Sequence, residues 1–142
     1  GGELLTPHII KSKKYHDDRS YKTTSKSSLG QIVSKDTTQK LTAMLVKTVE
    51  EGTGGPAKIE GYSIAGKTGT AQKAKIDGRG YEKGAYMASF IGFFPANKPE
   101  YLILVVVDTP KKSIYGSTVA GPIFKNISQD IIRYKSIPPN IK

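Results

Sequence analysis

One segment concentrates the side chains best suited to chemistry: "GYSIAGKTGTAQ", residues 61–72. Its first eight residues satisfy G-x-x-x-x-G-K-[ST], in which backbone N–H groups converge on a phosphate and the lysine neutralises it. Downstream, "LILVVVD" runs into Asp108, the kind of carboxylate that would hold Mg²⁺ beside such a loop. The alternative places Lys67, Thr68, Gly69 and Thr70 at the end of a sheet strand facing a cleft. Lys67 then offers a fixed charge and Thr68 and Thr70 offer hydroxyl donors. Gly69 leaves room for a ligand against the backbone, and a strand edge can pair with an extended peptide. Such a surface would bind a peptide ending in a carboxylate. A polar strand end with a glycine bulge is the reading without a function.

The flanking residues decide against phosphate. A P-loop needs a buried strand before its glycines and a helix directly after its lysine, because the helix N-terminus supplies the converging N–H groups. Here "GGPAKIE" precedes Gly61 and reads as turn, while "GTAQKAKIDGRG" follows Thr68 without helical periodicity. Asp108 closes a hairpin too tight for the parallel crossovers of that fold.

Composition removes other classes. The 142 residues suit one domain. There is no cysteine, which excludes disulfides, thiol nucleophiles and zinc–thiolate sites. His8 and His16 stand in polar, basic sequence, so neither a metal site nor a Ser-His-Asp mechanism is expected. The net charge of +10 comes from scattered lysines, which reads as a solvated surface rather than a nucleic-acid interface. No stretch reaches the roughly 18–20 apolar residues of a membrane span. The chain opens on Gly-Gly rather than Met, so it is expected to be a piece of a longer polypeptide.

The elements that must position residues 67–70 are legible in outline. "LLTPHIIK" reads as extended, and residues 11–28 as a solvated loop or weak hairpin. A helix is expected over residues 34–51, with Asp36 and Gln39 as a capping box. Its apolar face, Leu41, Met44, Leu45, Thr48 and Val49, is assigned to the core. Gly52 stops it. Tyr62 and Ile64 lead a strand into Lys67, and residues 73–84 form a polar loop. "YMASFIGFF" and "YLILVVVD" form a hairpin about "PANKPE", residues 102–107 being buried on both faces. "YGSTVAGPIFKNISQDIIRY" closes the domain as one helix, Pro122 in its first turn and Ile123, Ile127 and Ile131 as its buried stripe. The order gives an α+β fold, its antiparallel sheet strands flanked by helices.

With those residues in place, "AGKTGTAQ" resembles the third signature of the penicillin-binding proteins, serine acyl-transferases marked by S-x-x-K, S-x-N and K-T-G. The resemblance extends through "GGELLTPHIIK", "LVKTVEEGTGGPAKIEGYSIAGKTGTAQK", "ASFIGFFPANKPEYLILVVVD" and "YGSTVAGPIFKNI". In that order these segments are similar to the C-terminal part of a class B transpeptidase of the division or sporulation subgroup. The fold implied is part of the penicillin-binding-protein/β-lactamase-like transpeptidase domain. The resemblance implies that Lys67 sets the field around the nucleophile, and that Thr68 and Thr70 hold the carboxylate of a D-alanyl-D-alanine stem peptide or a β-lactam. The Thr70 N–H would complete an oxyanion hole, and Gly69 would permit close approach. No cofactor or metal is implied. No serine here begins S-x-x-K or S-x-N, so the nucleophile is expected upstream of Gly1 and the chain alone is expected to be inactive. Two upstream strands would also be missing, leaving an unprotected sheet edge or a separate polypeptide to complete the fold. The implied partners are peptidoglycan stem peptides, β-lactams, the N-terminal part of the same protein and divisome proteins. The implied place is the outer side of the cytoplasmic membrane, on an anchor outside this chain. A non-catalytic binding module, and a β-lactamase or β-lactam sensor, are the other classes compatible with Lys-Thr-Gly.

Overall fold

The computed structural model describes residues 1–14, 16 and 21–141, in two units, Gly1–Leu41 and Thr42–Lys142. In the first, four short strands, β1 (Glu3–Leu5), β2 (Ser12–Lys14), β3 (Tyr21–Thr23) and β4 (Ser28–Gln31), make two separate antiparallel pairs. β1 pairs with β4, and β2 with β3 in a hairpin. The other residues between β2 and β3, apart from His16, lie outside the described residues. Leu4, Leu5, Ile9, Leu29 and Ile32 are exposed.

The boundary between the units falls within α1 (Lys35–Glu50). Ser34 is its N-cap: the Ser34 hydroxyl accepts the Thr37 N–H at 3.1 Å. The expected Asp36–Gln39 capping box is therefore displaced. Asp36 sits inside the first turn, where a carboxylate suits the helix dipole, and pairs with Lys40 at 2.7 Å. The apolar face also departs from expectation. Val49 is fully buried, whereas Leu41 and Met44 are exposed, so only the C-terminal end of the face joins the core. α1 stops where the Gly54 N–H returns to the Thr48 carbonyl at 2.9 Å, and a 3-10 turn, Gly55–Ala57, follows.

β5 (Ala65–Ala74), β6 (Tyr81–Phe94) and β7 (Tyr101–Asp108) form an antiparallel sheet in the order β5-β6-β7. Residues 73–84, expected as loop, are strand at both ends, since β5 runs to Ala74 and β6 starts at Tyr81. The turn is confined to the few residues between Lys75, whose N–H reaches the Gly80 carbonyl at 3.1 Å, and Gly80. Polar side chains disguised these hairpin arms, yet cross-strand bonding satisfies backbone groups whatever the side chains are. β7 is not buried on both faces. Val105 is buried, but Leu102, Leu104 and Val106 are exposed. One sheet face packs and the other stays open, so the aliphatic run reflects an apolar face that the described residues leave uncovered.

On the packed face, Phe90 and Phe94 of β6 meet Phe124, with ring centroids 4.8 and 6.5 Å apart. Val49, Ile59, Ile64 and Ala120 complete the core. The expected closing helix is two, α2 (Gly116–Val119) and α3 (Gly121–Lys135), with Pro122 in the first turn of α3. The expected stripe is corrected by one residue. Phe124, Ser128 and Ile132 are buried, Ile131 is only partly so, and Ile123 and Ile127 are 42% and 40% exposed. Two stripes at the same i, i+4, i+8 spacing compete, and the one containing the large aromatic ring faces the sheet.

The C-terminal tail returns to the corner before β5. The Asn140 N–H donates to the Gly61 carbonyl at 2.9 Å, and the Tyr62 hydroxyl donates to the Ile137 carbonyl at 2.8 Å. The Asn140 side chain accepts the Ser63 N–H at 3.0 Å and donates to Asn97 at 2.9 Å. The strand expected from Tyr62 thus begins only at Ala65.

Candidate functional site

Residues 67–70 lie within β5 rather than at its end, in unbroken register with β6: Lys67 opposite Ile91, Thr68 opposite Phe90, Gly69 opposite Ser89 and Thr70 opposite Ala88. The register slips only between Gln72 and Ala74, so Gly69 is no bulge. β5 is an edge of its sheet among the described residues, and alternate backbone groups of an edge strand point outward. Its position is fixed by two glycines. A Cβ on Gly66 would come within 2.5 Å of the Phe90 ring, and one on Gly92 within 2.9 Å of the Phe124 ring. Bare backbone at both places lets the aromatic core rise directly beneath the strand.

Lys67 is exposed, and its ammonium donates to the Thr68 carbonyl at 2.9 Å. It forms no ion pair with any described carboxylate, so its charge is uncompensated. The Thr68 hydroxyl lies 3.5 Å from Lys67 Nζ and 3.3 Å from the Thr53 hydroxyl. The Thr70 hydroxyl accepts the Gly116 N–H at 3.4 Å. A Cβ on Gly69 would meet Ser89 Oγ at 2.5 Å. One ammonium and two hydroxyls thus follow one another along an exposed edge strand, Thr68 beside the loop residue Thr53 and Thr70 beside the start of α2. Donors so arranged suit an anionic, acceptor-rich group.

No helix N-terminus stands behind Lys67, since β5 continues to Ala74. Asp108 is engaged elsewhere: Lys73 donates to its two oxygens at 2.8 and 3.0 Å. The hydrogen bond from Lys73 and a second from Thr109 hold the Asp108 carboxyl below its usual range, and the hydrogen bond to Asp108 raises Lys73. This pair ties β5 to β7 across β6. No group of three or more potential metal ligands occurs among the described residues. A depression of about 540 Å³, lined by His8, Ile9, Ile10, Lys13, Thr23, Thr24 and Ser25, is in the first unit and includes none of residues 67–70. A groove of about 180 Å³, lined by Leu45, Lys67, Ile91, Phe93 and Leu102 among others, lies on the open sheet face.

Three residues joined to this strand escaped sequence reasoning: Thr53, Ser89 and Gly116. Thr53 stood in a stretch legible only as a turn. Gly116 stood inside an apparent helix, where nothing marked its approach to β5. Its backbone lies against the Gly69 and Ser89 carbonyls; a Cβ there would reach the Gly69 oxygen at 2.6 Å.

Residues 1–129 match the family model of the penicillin-binding protein transpeptidase domain. The chain is 43% identical over 143 residues to stage V sporulation protein D of Bacillus subtilis, covering 98% of the chain and 22% of that relative. It is 35% identical over 154 residues to a peptidoglycan D,D-transpeptidase FtsI homolog of Mesostigma viride, covering 99% and 26%. It superposes on penicillin-binding protein 3 of the tuberculosis mycobacterium in complex with ampicillin with a TM-score of 0.86 and 30% identity, covering 99% of the chain and 33% of that structure. The apo transpeptidase domain of Burkholderia pseudomallei penicillin-binding protein 3 gives 0.75 and 32%, covering 99% and 40%. The chain spans about a quarter of the length of these two curated relatives. Over most of its residues and in its α+β fold, the chain belongs to the penicillin-binding protein transpeptidase family.

Proposed function

We propose that the chain supplies the carboxylate-binding and oxyanion strand of a peptidoglycan D,D-transpeptidase, completed by a further part of the same protein. The observation that carries this reading is the placement of Lys67, Thr68 and Thr70 in continuous register on an edge strand, with Lys67 in no ion pair with a described carboxylate and both hydroxyls braced. Lys67 would lie near the nucleophilic serine and stabilise its alkoxide during attack. Thr68 and Thr70 would donate to the terminal carboxylate of a D-alanyl-D-alanine stem peptide, or of a β-lactam. The Thr70 N–H would donate to the tetrahedral oxyanion, where one donor is worth roughly 3–4 kcal/mol of barrier. Gly69 would let the substrate backbone lie along the strand.

The reaction divides into two acyl transfers. The serine oxygen attacks the penultimate D-alanine carbonyl, and the terminal D-alanine leaves with the proton on its amine. An amine of a neighbouring stem peptide then attacks the ester, re-forming an amide and returning a proton to the serine. No cofactor enters this scheme. The nucleophile, its lysine and the S-x-N serine belong to the part of the protein outside this chain. An N-terminal membrane anchor would belong there too; no described helix is long and apolar enough to cross a membrane. The domain would work on the outer face of that membrane, with divisome proteins as partners of the whole molecule.

Labelling the full-length protein with a fluorescent penicillin tests the reading. Lys67→Ala should slow acylation by about 10²-fold or more, and residues 1–142 alone should take up no label. Equal labelling of Lys67→Ala and the unmodified protein would remove the role given to Lys67.

A further inference from the structure

A carboxylate only accepts hydrogen bonds, so a hydroxyl serves it only when its own proton is free to point outward. Thr68 has one proton and two groups close to its oxygen. Lys67 Nζ, 3.5 Å away, can only donate. The Thr53 hydroxyl, 3.3 Å away, can donate or accept. If Thr53 accepted the Thr68 proton, it would turn that proton away from any ligand. With Thr53 donating, both near neighbours point protons at the Thr68 oxygen, and the Thr68 proton is left for the ligand.

Thr53 is well placed for such a role. It lies between Gly52 and Gly54, and Gly54 is buried, its N–H bonded to the Thr48 carbonyl at 2.9 Å. A Cβ on Gly54 would come within 3.0 Å of the Val49 backbone. The loop is thus clamped to the end of α1 next to a fully buried side chain, while the Thr53 hydroxyl is carried at the surface. Thr70 has a comparable brace in the Gly116 N–H, which can only donate and leaves the Thr70 proton equally free.

We propose that Thr53 is a positioning residue that orients the Thr68 hydroxyl to donate to the substrate carboxylate. This rests on the transpeptidase reading above. The requirement is for a hydroxyl at position 53, not for bulk: serine should serve and the isosteric valine should not.

The test uses the full-length protein with Thr53→Val and Thr53→Ser, and the second-order acylation rates of benzylpenicillin and of its methyl ester, which lacks the anionic carboxylate. Thr53→Val should lower the benzylpenicillin rate about fivefold, the effect of one modest hydrogen bond, and leave the methyl-ester rate unchanged. Thr53→Ser should restore the acid rate. An equal fall for both probes, or no fall for the acid, would overturn the role of Thr53 while leaving the transpeptidase reading intact. Failure of the unmodified protein to be acylated by benzylpenicillin would overturn that reading, and this inference with it.

Discussion

Gly116 rests on the peptide carbonyl of Gly69, so close that a single added carbon would come within 2.6 Å of that oxygen. The same residue sends its N–H to the Thr70 hydroxyl. α2 and β5 therefore meet as backbone against backbone at the centre of the candidate site. Gly116→Ala is expected to cost about 1–3 kcal/mol, the usual effect of forcing volume into a packed contact. It should also slow penicillin acylation of the full-length protein, by pushing Thr70 out of line. Thr118→Ala, an exposed position in the same short helix, should do neither. Paired melting curves and labelling rates would check both.

The inward face of α3 can be tested by truncating neighbouring residues. Phe124→Ala should destabilise by about 3–5 kcal/mol, as for other buried aromatics. Ile123→Ala should change stability by about 0.5 kcal/mol at most if the exposed face stays exposed. Ser128 adds a change of opposite sign. Its hydroxyl is fully buried and has no hydrogen-bond partner among the described residues, so Ser128→Ala should stabilise by roughly 1 kcal/mol. Denaturant unfolding of the three variants would show a large loss, almost none, and a small gain.

The Lys73–Asp108 pair predicts a pH window. Asp108 has a lowered carboxyl pKa because Lys73 and Thr109 donate to it. Its contribution is full above the ordinary carboxylate value near 3.8 and is lost as pH falls through the lowered folded value. Lys73 is raised by the same hydrogen bond. Its contribution is full below the ordinary lysine value and is lost as pH rises through the raised one. Asp108→Asn should therefore lower the melting temperature slightly at neutral pH, and the difference from the unmodified protein should vanish in strong acid. A difference that persisted unchanged at pH 2 would contradict the assignment.

The open sheet face gives a prediction whose size depends on context. Ile91, Leu102, Leu104 and Val106 expose apolar surface on neighbouring strands, and a contiguous patch of this kind marks a surface that something covers. If the remainder of the transpeptidase domain covers it, Leu104→Ala should cost about 2–5 kcal/mol in the full-length protein. In residues 1–142 alone the same change should cost about 0.5 kcal/mol or less. Similar small values in both would mean that this face stays open.

Candidate residues were easier to single out from sequence than the packing around them. Lys67, Thr68, Gly69 and Thr70 stood out because their types occur in a fixed local order, and local order is what a sequence records directly. The strand they occupy was recognisable, but its length was not, because the polar hairpin arms beyond Gln72 carry no hydrophobic alternation. Thr53 and Gly116 did not stand out because what brings them to the strand is contact with Thr68 and Thr70, across 15 and 46 residues of chain. α3 illustrates a different limit. Its period was right and its phase wrong, since isoleucines and a Phe–Ser–Ile row share one spacing and only the facing sheet chooses between them. The aliphatic run of β7 was read as doubly buried, yet one side of it finds no partner among the described residues.

The tail that returns to Gly61 gives the second unit an unusual mechanical property. Four hydrogen bonds join residues 137–140 to Gly61, Tyr62, Ser63 and Asn97, drawing together a strand approach, a strand-to-strand turn and the segment after α3. Tension on the tail would therefore be delivered sideways to the corner where β5 begins, rather than peeling α3 from its end. That corner and the tail should open as one cooperative event, slower than the fraying of a segment without such ties.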